Sequence, residues 1–322
     1  MNLGNIQYMK NNLSQARQWY EKSIQVSTER SGINDDLLLA QQNRAVIIGA
    51  LGNLPEEVRL LHEVIDGANR VGDKGKLALA LNNLCDAQLQ IGEVAEARKS
   101  CQQSLDLMVE TSDKDGEART QQVLANVLLA IGDLPGAEKH YQQALQTQRQ
   151  LKSQTDVASL QDSLASLNIE KRDFANAEKF ALQALDSFIE GKDAPDEVVA
   201  RCILAQAYLG MRRNNDAEDQ ILKAKDRVYG LQGPFPLATF SIQQAIFENI
   251  PKPSNAAISE LKRIEAEMRR AGSLQLALEA KYARAQAMAG PARKSELKAV
   301  TEEARQHGYL LLARKAAETS GA

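Results

Sequence analysis

Residues 92–105 read GEVAEARKSCQQSL, and residues 132–145 read GDLPGAEKHYQQAL. A glycine, an acidic residue, an alanine and a closing QQ-small-Leu recur at a spacing of forty. With the alanine as marker, Ala97, Ala137, Ala177, Ala217 and Ala257 stand in register. Ala16 and Glu57 extend it upstream with one extra residue between them, and Leu297 extends it downstream. Twelve positions before each marker sits a small residue: Gly4, Ala45, Cys85, Ala125, Ala165, Ala205 or Ala245. Just before those come Leu3, Arg44, Leu84, Leu124, Leu164 and Leu204. Eight after the marker come Ile24, Ile65, Leu105, Leu145, Leu185 and Lys225.

Two helices whose backbones approach closely need small residues at the crossing and large apolar ones beside it. Between the two columns lies a turn. Gly92 and Gly132 suit a helix end that turns through a left-handed residue. Pro55 and Pro135 fall at the start of the following helix, where a missing N–H is no loss. The other prolines (Pro195, Pro234, Pro236, Pro251, Pro253 and Pro291) also fall at helix starts or connections. Each unit therefore reads as a helix A–turn–helix B hairpin, and hairpins must stack to bury their remaining apolar faces.

Composition agrees. The 322 residues are rich in Ala, Leu, Glu, Gln, Lys and Arg, and aromatics make up 4%, which predicts a helix-rich, strand-poor chain. A formal net charge of −3 implies no general attraction to nucleic acid or anionic membrane. From Lys252 onward 13 Lys/Arg face 8 Asp/Glu, which reads as a solvated helical face. Cys85, Cys101 and Cys202 have no CxxC spacing and read as small core residues rather than a disulfide framework. No stretch has the ~20 apolar residues of a membrane span, and MNLGNIQYMKNN has no signal-peptide core, so a cytoplasmic protein is expected.

The units resemble the tetratricopeptide repeat (TPR). Its pattern of Leu-small, then Ala, aromatic and Ala-Leu is visible in LGNIQY…ARQWYEKSI at 3–24. It recurs in LANVLLAIGDLPGAEKHYQQAL at 124–145 and LASLNIEKRDFANAEKFALQAL at 164–185. The repeat's usual early Trp is absent, Glu57 replaces a central small residue, and Lys225 breaks the apolar column. The forty-residue period is similar to the long-repeat class of kinesin light chains, Pins/LGN-type scaffolds and bacterial signalling proteins. The resemblance implies an all-α, right-handed α-solenoid of about eight stacked hairpins with a C-terminal capping helix. Six repeats are expected over 1–225, two divergent hairpins over 226–306, and a capping helix and tail over 307–322. Met1 falls within the first turn of helix A, so a longer chain is expected.

Catalytic signatures are absent from the sequence. GANRVGDK at 67–74 has the outer glycine spacing of a phosphate loop, but Asp73 stands where the lysine belongs. His62, His140 and His307 are isolated, so neither a metal nor a cofactor is expected. No nucleophile has a base beside it, and the chain reads as a non-enzyme.

In the TPR arrangement the A helices line a concave groove. Three columns would face it, at 14, 11 and 15 residues before the marker. They read Asn2, Asn43, Asn83, Val123, Ser163, Ile203; then Asn5, Val46, Asp86, Asn126, Ser166, Gln206; then Met1, Gln42, Asn82, Gln122, Asp162, Cys202. Amides both donate and accept, so a row of them can meet the backbone of a peptide. Asparagine is a mediocre helix former, and its repeated placement on one stripe weakens the helices for some return. The candidate groove residues are Asn5, Asn43, Asn82, Asn83, Asp86, Arg119, Gln122, Asn126, Asp162, Ser163, Ser166 and Gln206. Arg119 alone is basic in a suitable column, so the carboxylate clamp of some relatives is not expected. The leading reading is a scaffold holding an extended or helical segment of a protein partner. The alternative is the sensor or oligomerisation arm of a larger bacterial kinase or winged-helix regulator, whose groove its own upstream domain would fill, with self-association as a further expectation. No nucleic-acid or membrane partner is expected.

Overall fold

Acidic residues at the turns start the helices. Asp73, Asp113, Asp133, Asp173 and Asp193 each accept a hydrogen bond from a backbone N–H three residues on. Each bond satisfies a donor that the helix itself cannot. Gly92 and Gly132 end their helices at φ +90° and +84°, as their positions predict. Arg172 and Arg212 at the equivalent turns, and Ser112, Lys152 and Lys192 at the turns between hairpins, adopt the left-handed conformation without glycine.

The computed structural model describes residues 2–31, 35–248 and 254–321, and among these the chain forms seventeen helices and no strand. Met1, Pro251 and Pro253 lie outside the described residues. Eight helix pairs follow one another: α1 (Asn2–Met9) with α2 (Leu13–Ser31), α3 (Asp35–Ala50) with α4 (Leu54–Val71), and α5 (Lys74–Ile91) with α6 (Val94–Glu110). Next come α7 (Lys114–Ala130) with α8 (Leu134–Leu151), α9 (Gln154–Glu170) with α10 (Phe174–Gly191), and α11 (Ala194–Gly210) with α12 (Asn214–Val228). The last pairs are α13 (Phe235–Glu248) with α14 (Asn255–Ala271) and α15 (Leu274–Ala287) with α16 (Gly290–Gln306); α17 (Leu310–Gly321) ends the chain. The fold is an all-α, right-handed solenoid of hairpins.

The small columns are where the helices cross. Ala97, Ala137, Ala177 and Ala217 are fully buried, as are their partners Cys85, Ala125, Ala165 and Ala205. The unit with Glu57 at the marker keeps the crossing by a different device. Glu57 is only 7% exposed, and Gly49 of α3 makes room for it. A Cβ at position 49 would lie 1.7 Å from Glu57 Oε2.

The cysteines require a correction. Cys85 and Cys101 are joined in a disulfide between α5 and α6, with Cα atoms 5.3 Å apart, while Cys202 is free and buried. The physical reason lies in the register. Positions twelve before and four after the marker touch across the hairpin: a Cβ on Gly4 would lie 2.6 Å from the Tyr20 ring. In the third hairpin that touching pair is Cys–Cys.

The C-terminal hairpins return to the start of the solenoid. The Gln232 backbone N–H donates to Asn11 Oδ1 at 2.6 Å, and Gln232 Oε1 accepts from the Ser14 N–H at 3.0 Å, across the α1–α2 turn. Pro55 in the α3–α4 turn meets Gly272. The Tyr309 hydroxyl donates to the Leu89 carbonyl, and Gly308 packs on Val94 at the α5–α6 turn. Helix α17 covers the exposed side of α16, as a cap does, and also reaches α7. Lys315 Nζ pairs with Glu170 at 2.6 Å. The hydrogen-bond partners of Gln232 and Tyr309 stand 218–221 residues away in the chain. One superhelical turn therefore takes roughly five and a half forty-residue units, after which the solenoid packs on its own beginning.

Candidate peptide groove

Successive A helices touch one another (α3 with α5, α5 with α7, α7 with α9, α9 with α11) and form one continuous surface. Some of the expected groove residues are already committed there. Asn5 Oδ1 accepts from the Tyr20 hydroxyl at 2.7 Å, and Asn126 Oδ1 from the Tyr141 hydroxyl at 2.6 Å. In both units the asparagine eleven before the marker buttresses a tyrosine four after it, so its carbonyl braces the hairpin. Arg119 is held by Asp115 at 3.0 Å and Asp156 at 3.2 Å. Gln122 Nε2 donates to Ser159 Oγ at 2.9 Å and Ser163 Oγ at 3.1 Å, bridging α7 to α9. Ser163 Oγ in turn donates to the Ser159 carbonyl at 3.0 Å.

The remaining candidates are less engaged. Asn82 Nδ2 reaches Asn83 Oδ1 at 3.4 Å, and Asp86 accepts from Gln90 Nε2 at 2.8 Å. Asn43, Ser166 and Asp162 are half-buried, and Gln206 is exposed.

Several carboxyl groups of these hairpins are buried or half-buried. Burial pushes the Glu57 carboxyl up to about 9, with the Asp86 charge adding to the shift. Burial also raises Asp86 and Asp193, and raises Asp162 well above the usual carboxylate range, with Asp196 contributing. Asp196 is pushed up to about 6 by burial and by Asp193. The Tyr8 phenol, on a residue that is 49% exposed, is raised by partial burial first, then by Asp196, Asp193, Glu57 and Asp86. One phenol thus senses carboxylates from α4, α5 and the start of α11, so the turn of the solenoid brings these units to face one another. Low-dielectric surroundings disfavour charge on every one of these acids.

Residues 76–150 match the tetratricopeptide repeat family. No curated protein matches the sequence. Among solved structures, a Rap protein complexed with Competence and Sporulation Factor is similar over 95% of this chain and 78% of its own, at 16% identity and a TM-score of 0.66. The Rap conjugation gene regulator of the plasmid pLS20, solved with a peptide, is similar over 91% and 80%, at 14% identity and a TM-score of 0.62. The apo quorum sensor NprR from B. thuringiensis is similar over 96% and 84%, at 15% identity and a TM-score of 0.57. The tetratricopeptide-repeat assignment thus rests on residues 76–150. At these identities the structural likeness speaks for the fold.

The electrostatic neighbourhood of Tyr8 escaped sequence reasoning. Tyr8, Glu57, Asp193 and Asp196 belong to units far apart in sequence, and only the superhelical turn unites them. Gln42 stood in a groove column, but nothing in the sequence marked it as nearly fully buried. On the B-helix side, a cleft of about 420 Å³ between α8 and α10 is lined by Glu138, Arg149, Lys171, Lys179 and Phe180. Lys171 pairs with Glu138 at 2.9 Å within it. Among the described residues no group of three or more His, Cys, Asp or Glu is placed to hold a metal ion, and no helix is long and apolar enough to cross a membrane.

Proposed function

We propose that the chain is a non-enzymatic interaction module whose inner A-helix surface holds an extended or helical segment of another protein. The observation that carries this reading is the amide and carboxyl surface of units two to six. Asn43, Asn82, Asn83, Asp86, Ser166 and Gln206 have hydrogen-bonding capacity that the hairpins do not consume. The solved Rap protein with a bound peptide shares the fold. Polar contacts exchange for water and contribute modestly, so the affinity depends on a few well-buried anchors.

A peptide-display selection on the purified chain, repeated on Asn83→Ala/Gln206→Ala, tests this. Asn126 is left intact because its carbonyl braces Tyr141. Enriched peptides should bind the parent and lose about tenfold or more on the variant, with the thermal melt unchanged. Equal binding to both would place the contact elsewhere.

A second reading, the sensor or oligomerisation arm of a larger bacterial regulator, is favoured by the apolar face of the first hairpin. Leu3, Ile6, Met9 and Val26 are exposed there, Met9 to 81%. Such a patch suits a protein interface. Light scattering that returns a monomer at every concentration, unaltered by Met9→Lys, would count against self-association through it.

A further inference from the structure

The column fifteen residues before the marker runs along the seams between A helices. In one seam its polar end is met, where Gln122 donates to Ser159 and Ser163 of the next helix. In three other units it is not. Gln42 Oε1, Asn82 Oδ1 and Asp162 Oδ1 are buried acceptors without a partner, and Gln42 as a whole is 5% exposed. Register explains the case of Asp162. Where Gln122 meets two serines, the equivalent positions opposite Asp162 are Val199 and Ile203, which bring no side-chain donor. Buried acceptors are ordinarily paired, so three unmet in one column ask for an outside donor.

The cations of α7, α9 and α11 are not available to Asp162. Helix α9 contains no Lys or Arg. Arg119 of α7 is held by Asp115 and Asp156. Arg201 of α11 is buried against Glu197 at 2.7 Å and Gln220 at 3.0 Å. Arg44 of α3 keeps its Nε buried without a partner, but it lies on the helix of Gln42, three hairpins before Asp162 in the chain. Meanwhile Asp196 stands near enough to Asp162 to raise it.

We propose that the segment held in the groove carries a basic side chain, an arginine first of all, that seats between α9 and α11 with Asp162 as its principal acceptor and Asp196 beside it. This rests on the groove reading above. A guanidinium brings several N–H donors in a rigid fork and no acceptor, which complements a site of unmet acceptors. Its charge would let Asp162 ionise where burial alone opposes ionisation, and a charge-assisted bond is about twice as strong as a neutral one. Asn82 and Gln42 extend the acceptor row along the same column for the segment's backbone N–H groups.

The test is a randomised heptapeptide display on the full chain, followed by synthesis of the enriched peptides with arginine, lysine or citrulline at the shared position. The expected result is a fixed basic position, with at least about tenfold weaker binding on arginine-to-citrulline replacement. On Asp162→Asn, which keeps the shape and removes the charge, the arginine and citrulline peptides should bind within about twofold of each other. Enriched peptides without a shared basic position, or an arginine preference that survives Asp162→Asn, would overturn the inference while leaving the groove reading intact. A selection that enriches nothing would remove both. The citrulline comparison on the parent chain decides the question even if Asp162→Asn fails to fold.

Discussion

Ala137→Phe is expected to destabilise the chain by about 1–3 kcal/mol or more, seen as a large drop in urea midpoint or as failure to fold. Ala137 is 0% exposed at the crossing of α7 and α8 and packs in the same cluster as Ala125, Leu128, Tyr141 and Leu160. A benzyl group cannot enter a crossing built from small residues without separating the helices, and the cores of adjacent hairpins move with them. The matched control is Lys139→Phe, two residues on and exposed, which should change stability by less than about 0.5 kcal/mol. Equal behaviour of the two variants would mean that the small columns do not mark helix crossings.

The second large effect is pH-dependent. The Glu57 carboxyl rises from an ordinary value of 4.5 to about 9 in the folded chain. Between those limits the folded state keeps a proton that the unfolded state has released, so stability falls as pH rises through the window. Each unit of separation is worth about 1.4 kcal/mol, so the total on reaching pH 9 is several kcal/mol. Glu57→Gln keeps the shape beside Gly49 and cannot ionise. Thermal melts should therefore coincide near pH 4.5 and diverge upward, with the Gln variant several degrees more stable by pH 9. Asp86, Asp162, Asp193 and Asp196 carry shifts of the same sign, so the parent's decline should shrink in the variant without vanishing. Parallel curves for parent and variant would show that Glu57 is not buried as its neutral acid.

Most of the fold was legible because each hairpin is specified locally. The marker alanines, the small residues twelve before them and the glycines at Gly92 and Gly132 encode a crossing and a turn within forty residues. What the sequence hid is long-range. Nothing in GLQGPFP at 230–236 announces that Gln232 will bond to Asn11 and Ser14, because that contact depends on small rotations accumulated over more than five hairpins. The same closure brings Tyr8 among the acids of α4, α5 and α11, so the electrostatics of the inner surface could not be read from any one unit. The Cys85–Cys101 bond, by contrast, was within reach: the column twelve before the marker faces the column four after it, and both carry cysteine in that unit. The groove columns lie on the A helices, but the sequence overstated the freedom of several of their residues. Asn5, Asn126, Arg119 and Gln122 are engaged by the scaffold, because sequence periodicity places a residue on a face without saying what its neighbour offers.

The most direct measurement for the central claim is hydrogen–deuterium exchange of the chain with and without a peptide enriched by display. A segment held on the inner surface should slow exchange in the A helices at 74–91, 114–130 and 154–170 and leave the B helices at 134–151 and 174–191 unchanged. Protection confined to those B helices, around the cleft lined by Arg149 and Lys179, would contradict the account.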